Sequence, residues 1–162
     1  MDNLNKSKKV NKGFTLIEIL IVIGLIAVLA TIVLIAINPA RQFAQARNTQ
    51  RSSNVNAILN GIGQYIADNK GVIPADITTA VKNISSTGTP SLCAQLMPVY
   101  ISALPADPAA ASNGTPITQC AQVGGYDTLY TVSRDIDFRV TVCAPNAAEP
   151  SVAGSQEICV TR

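Results

Sequence analysis

The sequence predicts an α+β protein in which a long N-terminal hydrophobic α-helix packs against a small antiparallel β-sheet head. Three observations predict it. Residues 14–37 form an almost uninterrupted apolar run, residues 40–69 are polar with apolar side chains at helical spacing, and the C-terminal third alternates apolar and polar residues with a period of two. The chain of 162 residues therefore divides into a short basic segment (1–13), a membrane-length helix (14–37), an amphipathic continuation (38–70) and one modest globular head (71–162).

Net charge is +2, but Lys6, Lys8, Lys9 and Lys12 all precede Gly13, with Asp2 as the one acid beside them. Of twelve basic and ten acidic side chains, eight and nine then remain, so the rest of the chain is at −1. That balance excludes a basic nucleic-acid-binding domain. There is no histidine, which removes the commonest general base and the usual zinc ligand together. No Gly-x-Ser-x-Gly elbow or phosphate loop is present, and the chain reads as a non-enzyme with no cofactor.

Residues 14–37 hold one charge, Glu18, and two small polar residues, Thr15 and Thr31. As a helix the run extends about 36 Å, enough to cross a hydrocarbon layer of about 30 Å. A secretory signal would end in a small-x-small cleavage site after a shorter core, whereas here the apolar run continues through Ile35. Four lysines before the span face Arg41, Arg47 and Arg51 after it, so charge alone leaves orientation open. The four cysteines, Cys93, Cys120, Cys143 and Cys159, all follow the span and lack any Cys-x-x-Cys pairing, which places the head in an oxidising compartment.

The residues Lys12-Gly13-Phe14-Thr15-Leu16-Ile17-Glu18 resemble the processing motif of type IV pilins and type II secretion pseudopilins. The resemblance implies a leader at 1–13, cleavage by prepilin peptidase between Gly13 and Phe14 on the cytoplasmic side, and N-methylation of Phe14. Glu18 then becomes the fifth residue, and the resemblance implies that it pairs with the Phe14 amine of a neighbouring subunit during assembly. Physical reasoning agrees that a carboxylate in lipid needs a partner, costing roughly 2.5–3.5 kcal/mol otherwise on insertion scales. The plain alternative is a glutamate that snorkels to the interface.

Asn38 and Pro39 mark a kink or break, because proline lacks an amide donor and its ring collides with the carbonyl of Ile35. Related fibres have an extended glycine-to-proline stretch, which maps here onto Gly24 and Pro39. Beyond it, Val55, Ile58, Leu59, Ile62 and Ile66 make one apolar stripe, and Lys70-Gly71 is a stop signal. Arg41, Arg47 and Arg51 are expected to meet acidic lipid head groups, an acidic neighbour in the fibre, or water.

In the head, residues 72–125 read as loop with a short helix near 91–97, followed by strands at 128–133, 137–143 and 156–161. A turn at Arg134-Asp135 joins the first two strands, and Phe138, Val140 and Val142 are expected on the buried face. Four cysteines allow three connectivities. If the last two strands are antiparallel, Cys143 and Cys159 fall nearly opposite one another, and Cys93 with Cys120 would tie down the loop region. This pairing is preferred, and its C-terminal member resembles the loop staple of type IV pilins. The segment Leu104-Pro105-Ala106-Asp107-Pro108, with Gly124-Gly125-Tyr126 downstream, resembles a region of major pseudopilins where a nearby loop holds calcium in some members. Asp107, Asp127 and Asp135 are the acids for such a site, against the plainer reading of turn residues.

Together the resemblance implies a pilin α/β-roll and a homo-oligomer in a helical fibre. Its implied partners are prepilin peptidase, an inner-membrane assembly platform and membrane lipid before assembly. The implied location is a bacterial inner membrane, with one pass, leader inside and head outside, and then an extracellular or periplasmic fibre. A type II secretion or competence pseudopilin, a minor or priming pilin, and a single-span anchored binding module are the alternatives.

Overall fold

The computed structural model describes residues 13–162. Two helices occupy the first part of the chain: α1, Leu16–Ile37, and α2, Pro39–Asp68. Helix α1 begins where Thr15 can cap it, its Oγ1 accepting from the Glu18 amide at 3.2 Å. The window Leu16–Leu34 has mean hydropathy 3.0, and none of it is buried by the rest of the chain. Such a surface of leucine, isoleucine and valine has water as a poor solvent on every side.

The expected break over Gly24 to Pro39 is much shorter in this structure. Gly24 lies inside α1, flanked by apolar residues that keep the ladder intact, and the helix ends only at Asn38. Asn38 takes a left-handed φ of 46°, a conformation asparagine tolerates better than most residues, and Pro39 opens α2 with the fixed φ of a first helical position. In the single chain Gly24 is thus a helical residue, while Pro39 follows the break at Asn38.

Helix α2 places Val55, Ile58, Leu59 and Ile62 in the core, all 2% exposed or less, with Ile66 partly buried at the end of the stripe. The chain leaves the helix through Lys70 and Gly71, both at positive φ, with the Gly71 amide donating to the Ile66 carbonyl at 2.8 Å. Against α2 lies a four-stranded antiparallel sheet in the order β1 (Lys82–Ser85), β2 (Asp127–Arg134), β3 (Val140–Ala144), β4 (Ile158–Thr161). A short helix α3, Leu92–Leu96, and a 3₁₀ turn, Pro145–Ala147, complete the head.

The sheet has one strand more than expected. Strand β1 reads Lys-Asn-Ile-Ser and offers a single core side chain, Ile84, so no alternation long enough to recognise exists there. Strand β2 buries Thr128, Tyr130 and Val132, and β3 buries Val140, Val142 and Ala144, in the period of two. Phe138 departs from expectation: it is 66% exposed, outside β3, at φ 65°. The turn takes it, because the Asp135 amide donates to the Arg139 carbonyl and Asp135 Oδ1 accepts from the Arg139 amide, which closes the hairpin at 135–139.

Pairing of β3 with β4 sets Cys143 opposite Cys159, and these two are disulfide-bonded, as are Cys93 and Cys120. Cys93 is fully buried in the α3 region of the core, whereas Cys159 faces solvent. The first bond therefore anchors loop residues 97–126 to the core, and the second staples the sheet edge.

Ile58 lies at the middle of the α2 stripe with no exposure. Replacing it with alanine is expected to cost about 2–5 kcal/mol of head stability, while Ile66→Ala, at the stripe's edge, costs less. Urea denaturation of the detergent-solubilised chain, followed by tyrosine fluorescence, measures both.

Candidate functional site

Two places in the chain hold chemistry that the core does not require. The first is the junction ahead of α1. Gly13, Phe14 and Thr15 are outside the helix and exposed, Phe14 at 80%, and nothing lies within 4 Å of where a Gly13 side chain would start. Thr15 ends this open segment, and Glu18 stands in the first turn of α1, where the helix dipole favours a negative charge. Thr15-Leu16-Ile17-Glu18 has the Thr-x-x-Glu spacing of a capping box, and the helix starts at Leu16, two residues after the start expected from the apolar run. A peptide bond in exposed, non-helical chain directly before a capped helix is open to a protease. The lysines at 6, 8, 9 and 12 lie outside the described residues.

The second place is a network of charges where α2 meets the head. Arg51 is 1% exposed and forms a two-point contact with Asp107, Nε to Oδ2 at 2.7 Å and Nη2 to Oδ1 at 3.1 Å. Its Nη1 donates to Glu149 Oε1 at 2.6 Å and to Asn48 Oδ1 at 2.9 Å. Arg47 adds two bonds to Glu149, at 2.7 and 2.8 Å. Asn54, one turn along, donates to the Ala106 carbonyl and to the Tyr130 hydroxyl, at 3.2 and 2.9 Å. The loop is thereby gripped at two successive residues, Ala106 and Asp107.

Protonation in this network follows from its contacts. Bonds from Arg47 first, then from Arg51, outweigh burial and pull the Glu149 carboxyl from 4.5 down to about 2. Burial works against the Arg51 charge, but the bonds to Asp107 and Glu149 more than offset it, and its pKa is raised. Burial pushes the Tyr130 hydroxyl up to about 12, against the opposing bond from Asn54. Glu149 and the two arginines are therefore charged near neutrality, and Tyr130 is neutral.

The arginines on α2 therefore differ from expectation. Arg51 is buried in the head of its own chain, and Arg47 bonds there to Glu149 while 39% of its side chain stays exposed. Their spacing held the signal for Arg51: it lies seven residues before Ile58 and seven after Ala44, both fully buried, and so occupies the apolar stripe itself. Glu149 carried no comparable signal, because its loop position is set by the Pro145–Ala147 turn.

The calcium candidates do not come together. Asp107 faces Arg51, Asp135 faces Arg139 at 2.7 Å, and Asp127 accepts from the Leu129 amide at 2.9 Å. Each acid has a separate partner, and the three form no cluster of ligands among the described residues. Among the described residues the one cluster of potential ligands is Cys143, Glu157 and Cys159, whose two thiols are already joined to each other.

An apolar N-terminal helix with a capped acidic first turn, followed by an α+β head, is consistent with a pilin fold. Residues 8–34 match the prokaryotic N-terminal methylation motif family, which agrees with a type IV pilin-like chain. The chain is also similar to fimbrial protein EcpC of Eikenella corrodens, with 45% identity over 76 residues, covering 45% of this chain and 46% of that one. It thus spans a little under half the length of the curated relative it matches. No solved structure matches.

Arg51→Met is expected to destabilise the head by about 3–5 kcal/mol, since it leaves Asp107 charged and buried without its partner. The double variant Arg51→Met/Asp107→Leu recovers most of that loss, because both charges leave together; chemical denaturation of the unmodified chain, both single variants and the double variant measures the coupling.

Glu149 has a depressed folded-state pKa, so its ion pairs add stability that is complete above pH 4.5 and is lost as pH falls toward about 2. Thermal unfolding from pH 6 to pH 2 is expected to show this loss, and Glu149→Gln removes that part of the pH dependence.

Proposed function

We propose that this chain is a structural subunit of a type IV pilus or pilus-like fibre, processed by prepilin peptidase and polymerised through its N-terminal helix. The observation that carries the reading is the exposed, non-helical Gly13-Phe14 junction placed directly before a capped apolar helix with Glu18 in its first turn. Cleavage there creates a new amine about one helical turn from Glu18. An apolar helix without cover from its own chain is stable in lipid, and equally in a bundle of identical helices that exclude water. Polymerisation exchanges one of these environments for the other. Glu18 of an incoming subunit meets the methylated Phe14 amine of its neighbour, which neutralises the one acid in the segment and fixes the axial register.

In this reading the single pass holds the subunit in the inner membrane, with the leader inside and the head outside. The assembly platform then draws it from lipid into the fibre. The disulfide-bonded head forms the fibre surface. A pseudopilin of a type II secretion or competence system is the second reading. It is favoured by the Leu104 to Pro108 segment, whose Asp107 is the counter-ion of Arg51.

Co-expression with a prepilin peptidase is expected to give a mature chain that starts at N-methylated Phe14, detected by intact mass and N-terminal sequencing. Gly13→Val accumulates the precursor, whereas Glu18→Ala is processed and yields few fibres. A stable, uncleaved wild-type chain in the presence of active peptidase would sink the proposal.

A further inference from the structure

The β1–β2 ladder is interrupted at its end. Between the pairs Asn83–Thr131 and Ser85–Asp127, β1 advances two positions while β2 advances four, so extra residues bulge from β2. Leu129, at the bulge, has φ 59°, a left-handed conformation that is strained for a leucine. Side chains on either side hold it there. Thr128 Oγ1 donates to the Ile84 carbonyl at 2.7 Å and accepts from the Tyr130 amide at 3.3 Å, while Asp127 Oδ1 accepts from the Leu129 amide at 2.9 Å. A strained strand residue fixed by dedicated bonds is a feature that ligand sites use and that a core has no need of.

Beside this bulge is a groove of about 640 Å³, whose lining includes Ser86, Thr87, Ser112, Gln122, Asp127 and Leu129. The geometry points to a binding site for a neutral oligosaccharide. Ser112 contributes a buried hydroxyl with no hydrogen-bond partner in the protein, a group that is costly to leave unmade. Oδ1 of Asp127 is engaged by the Leu129 amide, and its other oxygen is turned to no donor among the described residues. That oxygen can only accept, so it calls for a ligand rich in donors.

Charge narrows the class. No lysine or arginine lines the groove, so phosphate or an acidic peptide has no counter-ion there. Asp127 is the one acid in the lining, and no second carboxylate stands there to offset the charge of a divalent cation. Hydroxyl and amide side chains instead match a ligand whose own hydroxyls both donate and accept. Ile117 and Leu129 offer an apolar edge to the C–H face of a sugar ring. The site belongs to the head and does not depend on processing at Gly13.

The test uses the full chain in a zwitterionic detergent that carries no sugar. Saturation-transfer NMR with chitotriose, maltotriose and lactose is expected to detect binding of at least one, with little change on adding salt. Asp127→Asn, which keeps an oxygen for the Leu129 amide, weakens that binding about tenfold. Gln122→Ala, at an exposed position, weakens it without touching the bulge. Circular dichroism matching the unmodified chain establishes that both variants fold. Absence of transfer to all three sugars would overturn the site, as would affinity unchanged in both variants or abolished by moderate salt.

Discussion

The contact on which the head depends is the buried pair of Arg51 with Asp107. A helix and a loop-rich domain can pack in several registers if only apolar surface is at stake, because hydrophobic burial has no direction. A guanidinium with two matched bonds has direction, and it tolerates no slippage, since a displaced charge would be left dry and unpaired. Asn54 repeats the constraint one turn later by bonding the Ala106 carbonyl and Tyr130, which ties loop, helix and central strand to a common register. Burying ions is a poor way to gain stability. Here the compensation is complete enough, with every Arg51 nitrogen engaged, to make the pair a device for specificity.

The same network explains why a loop of Ser, Thr, Pro and Gly residues can be ordered at all. Residues 97–126 contribute few large apolar side chains, Leu104 and Ile117 among them, and pair these two across a single bridge. Ordering backbone costs about 1–2 kcal/mol per residue. Three fixed points oppose that cost: the Cys93–Cys120 bond, the Leu104–Ile117 bridge and the charge pair at Asp107. Each acts at a different part of the loop, so no long stretch is left to fluctuate alone.

How much of this was legible in the sequence depends on whether the information was periodic. The apolar run of α1, the stripe from Val55 to Ile66 and the alternation in β3 are periodic, and each could be read directly. Strand β1 could not, because Ile84 alone faces the core and its pairing is imposed by β2. Phe138 was misread because alternation continues formally into the turn, while the turn's own bonds at Asp135 decide where the strand starts. Arg51 is a more instructive case. Its position on the apolar stripe was visible, but polarity argued for solvent, and the partner that resolves the conflict lies 56 residues away. Of the site, the Gly13, Phe14 and Glu18 motif is contiguous and was readable. The bulge at Leu129 arises from a mismatch between two strands, and one strand's sequence does not contain it.

Charge placement along α2 connects the fold to the proposed assembly. From residue 42 to residue 67 the helix has two charged side chains, Arg47 and Arg51, and both are neutralised by Glu149 and Asp107 of the same head. What remains outward is uncharged: Gln45, Thr49, Ser52, Ser53 and Asn56 line one shallow groove on the helix, with Asn48 at its edge bonded to Arg51. A surface of this kind can be covered by a neighbouring subunit without stripping water from an ion, which is the costliest step in closing a protein contact. It is also polar enough to stay soluble before that happens. Internal pairing of the arginines thus does two things at once: it sets the register of the head on α2, and it leaves the opposite face free of charge for packing in a fibre.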